Sequence, residues 1–101
     1  MERDEDKFRR EIGSRLRLTR KALFALDAAP RWQKEFAASI GLVESTYNQI
    51  ESCKQILTPP QAVRIYERYG ISLNWLYAGS IHELPWMLVS AIEAERQKPP
   101  E

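Results

Sequence analysis

Apolar residues return every three or four positions along most of this chain. Phe8, Ile12, Leu16, Thr19, Leu23 and Leu26 fall at helical steps, with basic residues on the other faces. That spacing predicts one long amphipathic helix ending near Leu26. Pro30 disfavours helix at Ala29, which makes Asp27-Ala28-Ala29-Pro30 a loop. Phe36, Ala37 and Ile40 form a second stripe, and Tyr47 and Ile50 a third. Gly41 lies between them and reaches positive φ at little cost, so it can end one short helix and reverse the chain into the next. Ala37 is small, as a steep crossing of those two helices requires. The residues left over on the third stripe, Glu44, Ser45, Thr46, Asn48 and Gln49, are polar and free to point outward.

Further helices follow. Thr58 is placed to cap a helix with Pro59 at its first position, and Ala62, Ile65, Tyr66 and Tyr69 form its inner stripe up to Gly70. Ser72 caps a short helix from Leu73 to Tyr77, where Leu73 and Leu76 close a core and Trp75 packs. Pro85 suits the start of a last helix, in which Leu84, Leu88 and Ile92, with Val89 and Trp86 nearby, make a stripe four residues apart. The expected organisation is a charged tail over residues 1–6, a helical domain over 7–79, and a C-terminal helix and tail over 80–101. With the core complete by Gly79, the stripe on the last helix would be an exposed apolar patch on a monomer. That helix either covers the long first helix or pairs with its copy in a second subunit, and the expectation is a homodimer with it at or near the interface.

Composition narrows the functional class. The chain has 101 residues, 44% of them hydrophobic, which suits one small core. No apolar run is long enough for a membrane span, and the charged start MERDEDKFRR is not a secretory signal. One cysteine and one histidine give neither an internal disulfide nor a zinc site, which points to a reducing cytoplasm and to no cofactor. No nucleophile–base pair stands out, so an enzyme is not expected. The net charge of +1 is unevenly spread: residues 1–6 carry −3, residues 7–54 carry +5, and residues 55–101 carry −1. A basic face gathered on one segment attracts phosphate more than total charge does. Arg9, Arg10, Arg15, Arg17, Arg20 and Lys21 are either that face or simply the solvated side of the first helix.

Ile12-Gly13-Ser14-Arg15-Leu16-Arg17, Gln33-Lys34-Glu35-Phe36-Ala37, Gly41 with Tyr47 and Ile50, and Tyr69-Gly70-Ile71-Ser72-Leu73-Asn74-Trp75-Leu76 stand in the order seen in one family. The chain resembles the phage-repressor-like helix-turn-helix family (Cro/C1-type, also called Xre) over roughly residues 10 to 79. The resemblance implies an all-α, five- to six-helix lambda-repressor-like DNA-binding domain. Its recognition helix would span residues 43–52, with Glu44, Ser45, Asn48 and Gln49 reading base edges in the major groove. Trp32, Gln33, Lys34, Thr46, Ser52 and Lys54 are the expected phosphate contacts. Glu44 has a plainer role open to it, since a carboxylate stabilises a helix N-terminus. Trp32 would either lie against the DNA backbone or staple onto Phe36. Glu51 matches a common acidic position and is expected to pair within the fold.

The chain departs from the family pattern in three places. The connection between Leu16 and Gln33 is longer, Trp32 stands where Ser or Thr usually caps, and Cys53 stands where glycine is usual. Cys53 in a left-handed conformation would cost about 1–2 kcal/mol, so either the turn differs or that cost is carried. Cys53 itself is expected to be a half-buried filler. Taken together, the resemblance implies a cytoplasmic, nucleoid-associated transcriptional regulator, most simply a repressor, binding double-stranded DNA at a palindromic operator. Two alternatives stand beside it: an antitoxin of the same fold that also binds a toxin, and a helix-turn-helix module that serves as a protein-interaction partner.

Overall fold

A computed structural model describes residues 3–99. The ends of the two expected tails, residues 1–2 and 100–101, lie outside the described residues. The described chain is all-helical: α1 Asp4–Ala25, α2 Gln33–Ser39, α3 Glu44–Glu51, α4 Pro59–Tyr69, α5 Leu73–Ala78 and α6 Trp86–Gln97. None of these helices is long and apolar enough to cross a membrane.

Helix α1 is the axis of the fold. It packs against α6, α3 and α5, while α2 packs on α3 and α4 on α5. It begins at Asp4, earlier than its apolar stripe indicates, so Asp4, Glu5 and Asp6 form a first turn rather than a tail. Three carboxylates there favour the helix dipole. Ile12, Leu16, Thr19, Ala22 and Leu23 are buried; Phe8 is on the rim, stacked on Tyr77 with ring centroids 6.1 Å apart.

The punctuation works largely as the sequence indicates. Asp27 turns the chain after α1 with φ 60, and its N–H donates to the Phe24 carbonyl. Gly41 has φ 75 and its N–H donates to the Ala38 carbonyl, while the Leu42 N–H reaches back to Ala37. Ala37 is fully buried at that joint. Thr58 closes a capping box with Gln61, with its N–H donating to Gln61 Oε1 at 2.9 Å, and Ser72 Oγ accepts from the Trp75 N–H at 3.1 Å. Two apolar positions fall outside the core: Tyr66 lies at the edge of the stripe centred on Ala62, Ile65 and Tyr69, and Leu73 faces solvent while Ile71, Trp75 and Leu76 fill the space. Trp75 donates its indole N–H to Thr19 Oγ1 at 2.8 Å, which ties α5 to α1.

The C-terminal helix is where expectation and structure part. Leu88 and Ile92 of α6, which packs on α1, and Leu84 just before it are buried within one chain, in the same cluster as Leu16 and Leu23. They are core, and the patch expected on a monomer is not there. The long first helix is the reason. Its 22 residues pack against α6 as well as α3 and α5. Among the described residues after Gly79, Trp86, 77% exposed, Met87 and Ile81 are the large apolar side chains left exposed.

Candidate nucleic-acid interface

Helix α3 is built with a buried back and an open front. Tyr47, Ile50 and Glu51 face inward; Glu44, Ser45, Asn48, Gln49 and Ser52 face outward, and Thr46 is intermediate. Tyr47 lies against Phe36 with centroids 5.3 Å apart, and Phe36 stacks on Tyr69 at 5.1 Å, so α2 and α3 share one aromatic wedge. Gly13 lets α1 come close to the other end of α3. A Cβ there would lie 2.7 Å from the Ile50 carbonyl oxygen and 3.0 Å from Cys53 Sγ. Glycine inside a helix costs about 1 kcal/mol relative to alanine, and this contact is what it allows.

The back of α3 is held by charge as well. Arg20 Nε donates to Glu51 Oε2 at 2.7 Å and its Nη2 to Oε1 at 3.1 Å. The two side chains are only 10% and 3% exposed. Arg20 Nη1 also donates to the Arg31 carbonyl at 2.7 Å, tying in the loop before α2. Burial works against the Arg20 charge, and the Glu51 carboxylate more than offsets it, so the guanidinium pKa lies above its ordinary value. Beside the pair, burial first and then the Glu51 charge hold the Tyr47 phenol protonated well above its usual range. Glu51 thus pairs within the fold, as expected. Arg20 does not belong to the solvated face of α1, because it lies beside Leu16 and Leu23 on the buried side.

From Glu51 the network passes to the surface. Gln33 Nε2 donates to Glu51 Oε1 at 2.8 Å, and Asn48 Nδ2 donates to Gln33 Oε1 at 2.9 Å. A carboxylate only accepts, so it fixes the Gln33 amide orientation, and Gln33 in turn fixes that of Asn48. The expected roles of these two residues narrow accordingly. Each has given one N–H to the fold and keeps one for a ligand. Ser52 changes more: its hydroxyl donates to the Asn48 carbonyl at 2.7 Å, so its proton is not available to a phosphate. By contrast Glu44, Ser45, Gln49, Lys34 and Lys54 have no side-chain hydrogen bond or ion pair among the described residues. Their functional groups are free in solvent around the front of α3.

Trp32 stands apart from this group. It is the residue before α2 but provides no side-chain cap, and neither does Asp27. The staple on Phe36 does not form: the indole is 62% exposed, with the Arg31 guanidinium 4.6 Å from its ring centre. Phe36 is instead filled by Tyr47 and Tyr69. Trp32 instead lines a cleft with Arg17, Lys21 and Phe24 of α1.

The exit from α3 carries the cost anticipated from sequence. Cys53 adopts φ 68, and its half-buried Sγ lies against Gly13. Cys53→Gly should raise stability by about 1 kcal/mol, since glycine takes that conformation without strain. A denaturant midpoint that falls in the variant would show that the thiol packing outweighs the backbone strain.

Two participants were missed at the level of sequence, Arg20 and Arg31. Arg20 had a signal: it sits within one helical turn of both Leu16 and Leu23, on the apolar side of a helix. Arg31 had none, because its neighbours come from the α1 end and the following residue only after folding. No family model, curated protein or solved structure matches the chain.

Proposed function

We propose that this protein is a sequence-specific double-stranded DNA-binding regulator of transcription, acting as a repressor of the phage-repressor-like helix-turn-helix kind, with α3 entering the major groove. The observation that carries the reading is the asymmetry of α3. Its back is locked to α1 and α2 by Tyr47, Ile50 and the Arg20–Glu51 pair, while Ser45 and Gln49 stand unpaired on its front. A short rigid helix with unpaired amide and hydroxyl groups on an open face suits base-edge readout, in which glutamine pairs twice with adenine. Lys34 and Lys54 flank it as phosphate contacts. Glu44 takes part only where a cytosine amino group meets it.

The proposal includes a homodimer on a palindromic operator, because one module of this size has a small footprint and paired half-sites supply the rest. With Leu84, Leu88 and Ile92 in the core, the surface offered for pairing is the exposed trio Ile81, Trp86 and Met87. The same trio favours the second reading, a protein-interaction partner such as an antitoxin gripping its toxin.

Selection from a random duplex library tests the first reading. Gln49→Ala should weaken the selected site by about 1–3 kcal/mol and relax preference at one base pair, whereas Lys54→Ala should weaken all duplexes alike and reduce the salt slope by about one. A library that enriches nothing, or an affinity unchanged in Gln49→Ala, overturns the assignment and leaves the partner reading.

A further inference from the structure

A second surface feature lies along α1, where the loop before α2 and the end of α6 approach it. Between α1, the loop before α2 and the end of α6 is a cleft of about 270 Å³, with Arg17, Lys21, Phe24, Arg31, Trp32 and Lys98 on its walls. It continues, sharing Arg17, Lys21, Glu95 and Lys98, into a trough of about 520 Å³ that runs along α1 toward Ser14.

The charge on these walls is one-sided. Among the described residues lining them, Glu95 is the one acid, and it already holds Lys98 Nζ at 2.8 Å. Arg20, at the base, is matched by Glu51. The guanidinium groups of Arg17 and Arg31 have no carboxylate at ion-pair distance among the described residues. Two arginines left in this state in one cleft form a site for anions, and guanidinium matches phosphate oxygens bidentately.

The aromatic rings add a second requirement. Phe24 and Trp32 are both exposed, with the Arg31 guanidinium 5.7 Å from one ring centre and 4.6 Å from the other. The stack presents a flat, half-hydrated face next to the cations. An acidic peptide would satisfy the arginines and leave the rings bare. A duplex keeps its bases paired and stacked, and it is too wide to enter a cleft of this volume. A single strand brings both an unstacked base and a run of phosphates, and stacking faces beside a cationic groove are how such strands are held.

We propose that this cleft binds single-stranded nucleic acid, with a base against Trp32, phosphates on Arg17 and Arg31, and the strand continuing along the trough. This site goes beyond the duplex-reading face of α3 and uses none of its base-reading residues.

The test uses the full chain and a fluorescently labelled oligothymidylate followed by anisotropy, with the fold of each variant checked by circular dichroism. Trp32→Ala, which loses the stacking face, and the double variant Arg17→Gln with Arg31→Gln should each bind about tenfold or more weakly. Arg31→Gln leaves in place the backbone carbonyl that Arg20 uses. Gln49→Ala should bind the strand as the unaltered protein does, so failure of the duplex reading and failure of this one show up in different variants. Unlabelled oligothymidylate should displace the probe far better than thymidine monophosphate or polyglutamate. No binding, binding indifferent to Trp32→Ala, or displacement by polyglutamate as effective as by the oligonucleotide each overturns the proposal. The last would assign the cleft to an acidic protein segment, and equal displacement by the mononucleotide would overturn the strand in favour of a small ligand.

Discussion

A chain ended after Ser80 is expected to show no cooperative thermal transition. Truncation removes Leu84, Leu88 and Ile92, all buried in the one core. Each such side chain contributes about 1.5–3 kcal/mol when fully buried, so the three together account for roughly 5–9 kcal/mol. Small domains are stable by only about 5–15 kcal/mol in all. The loss also uncovers the side of α1 that α6 lies on, and a helix left with one bare apolar side has little stability of its own. Far-UV circular dichroism against temperature is the measurement. Trp86→Ser is the companion variant: it alters the same helix at an exposed position and should shift stability by no more than about 0.5 kcal/mol. A truncated chain that melts cooperatively within a few degrees of the full one would show that α6 is an appendage, and the apolar stripe would again need a partner.

The second large effect is expected from Arg20→Met. The carboxylate of Glu51, 3% exposed, would lose both guanidinium hydrogen bonds. Removing one member of a buried pair costs about 3–5 kcal/mol, chiefly from the charge left behind. For a domain of this size each kcal/mol shifts Tm by roughly 4–8 °C, so the melting shift should be well beyond experimental error. Replacing both, Arg20→Met with Glu51→Leu, should recover much of the loss, because apolar residues of similar volume serve a buried site about as well. A double variant as unstable as the single one would mean that the hydrogen bonds to the Arg31 carbonyl and Gln33, rather than the ion pair, hold α3 in place. The same double variant bears on the proposed function. Gln33 and Asn48 lose the carboxylate that orients them, so duplex affinity should fall even where the fold recovers.

Much of the helical architecture was legible in residues 8–97. The steps of three and four in Ile12, Leu16, Thr19 and Leu23 are a local property of one helix, and so are the glycine after α2, the Thr58 capping box and the Ser72 cap. Short-range stereochemistry decides such features, and short-range sequence records it. Gly13 entered the sequence reading only as part of the Ile12–Arg17 segment; the carbonyl that makes it necessary belongs to Ile50. Of the residues singled out for a DNA-reading face, Glu44, Ser45 and Gln49 lie open on α3, which a polar position between apolar ones already implies. Asn48, Gln33 and Ser52 looked equally free in sequence and are not, because each meets a hydrogen-bonding partner across or along the helices.

Amphipathic periodicity determined that α6 has an apolar side; what covers that side was left to the tertiary structure. A stripe such as Leu84, Leu88 and Ile92 reads the same whether it meets its own chain or a second copy, because water is excluded equally well by either. The choice fell to α1, on which α6 packs within the same chain. The pairing of Arg20 with Glu51 was decided in the same way: 31 residues separate them in sequence, and only the approach of α1 to α3 over Gly13 brings the guanidinium within 2.7 Å of the carboxylate. Backbone hydrogen bonding and side-chain periodicity act within a few residues and so are written locally. Burial and charge pairing depend on which surfaces meet, and helix crossing is what settled them here.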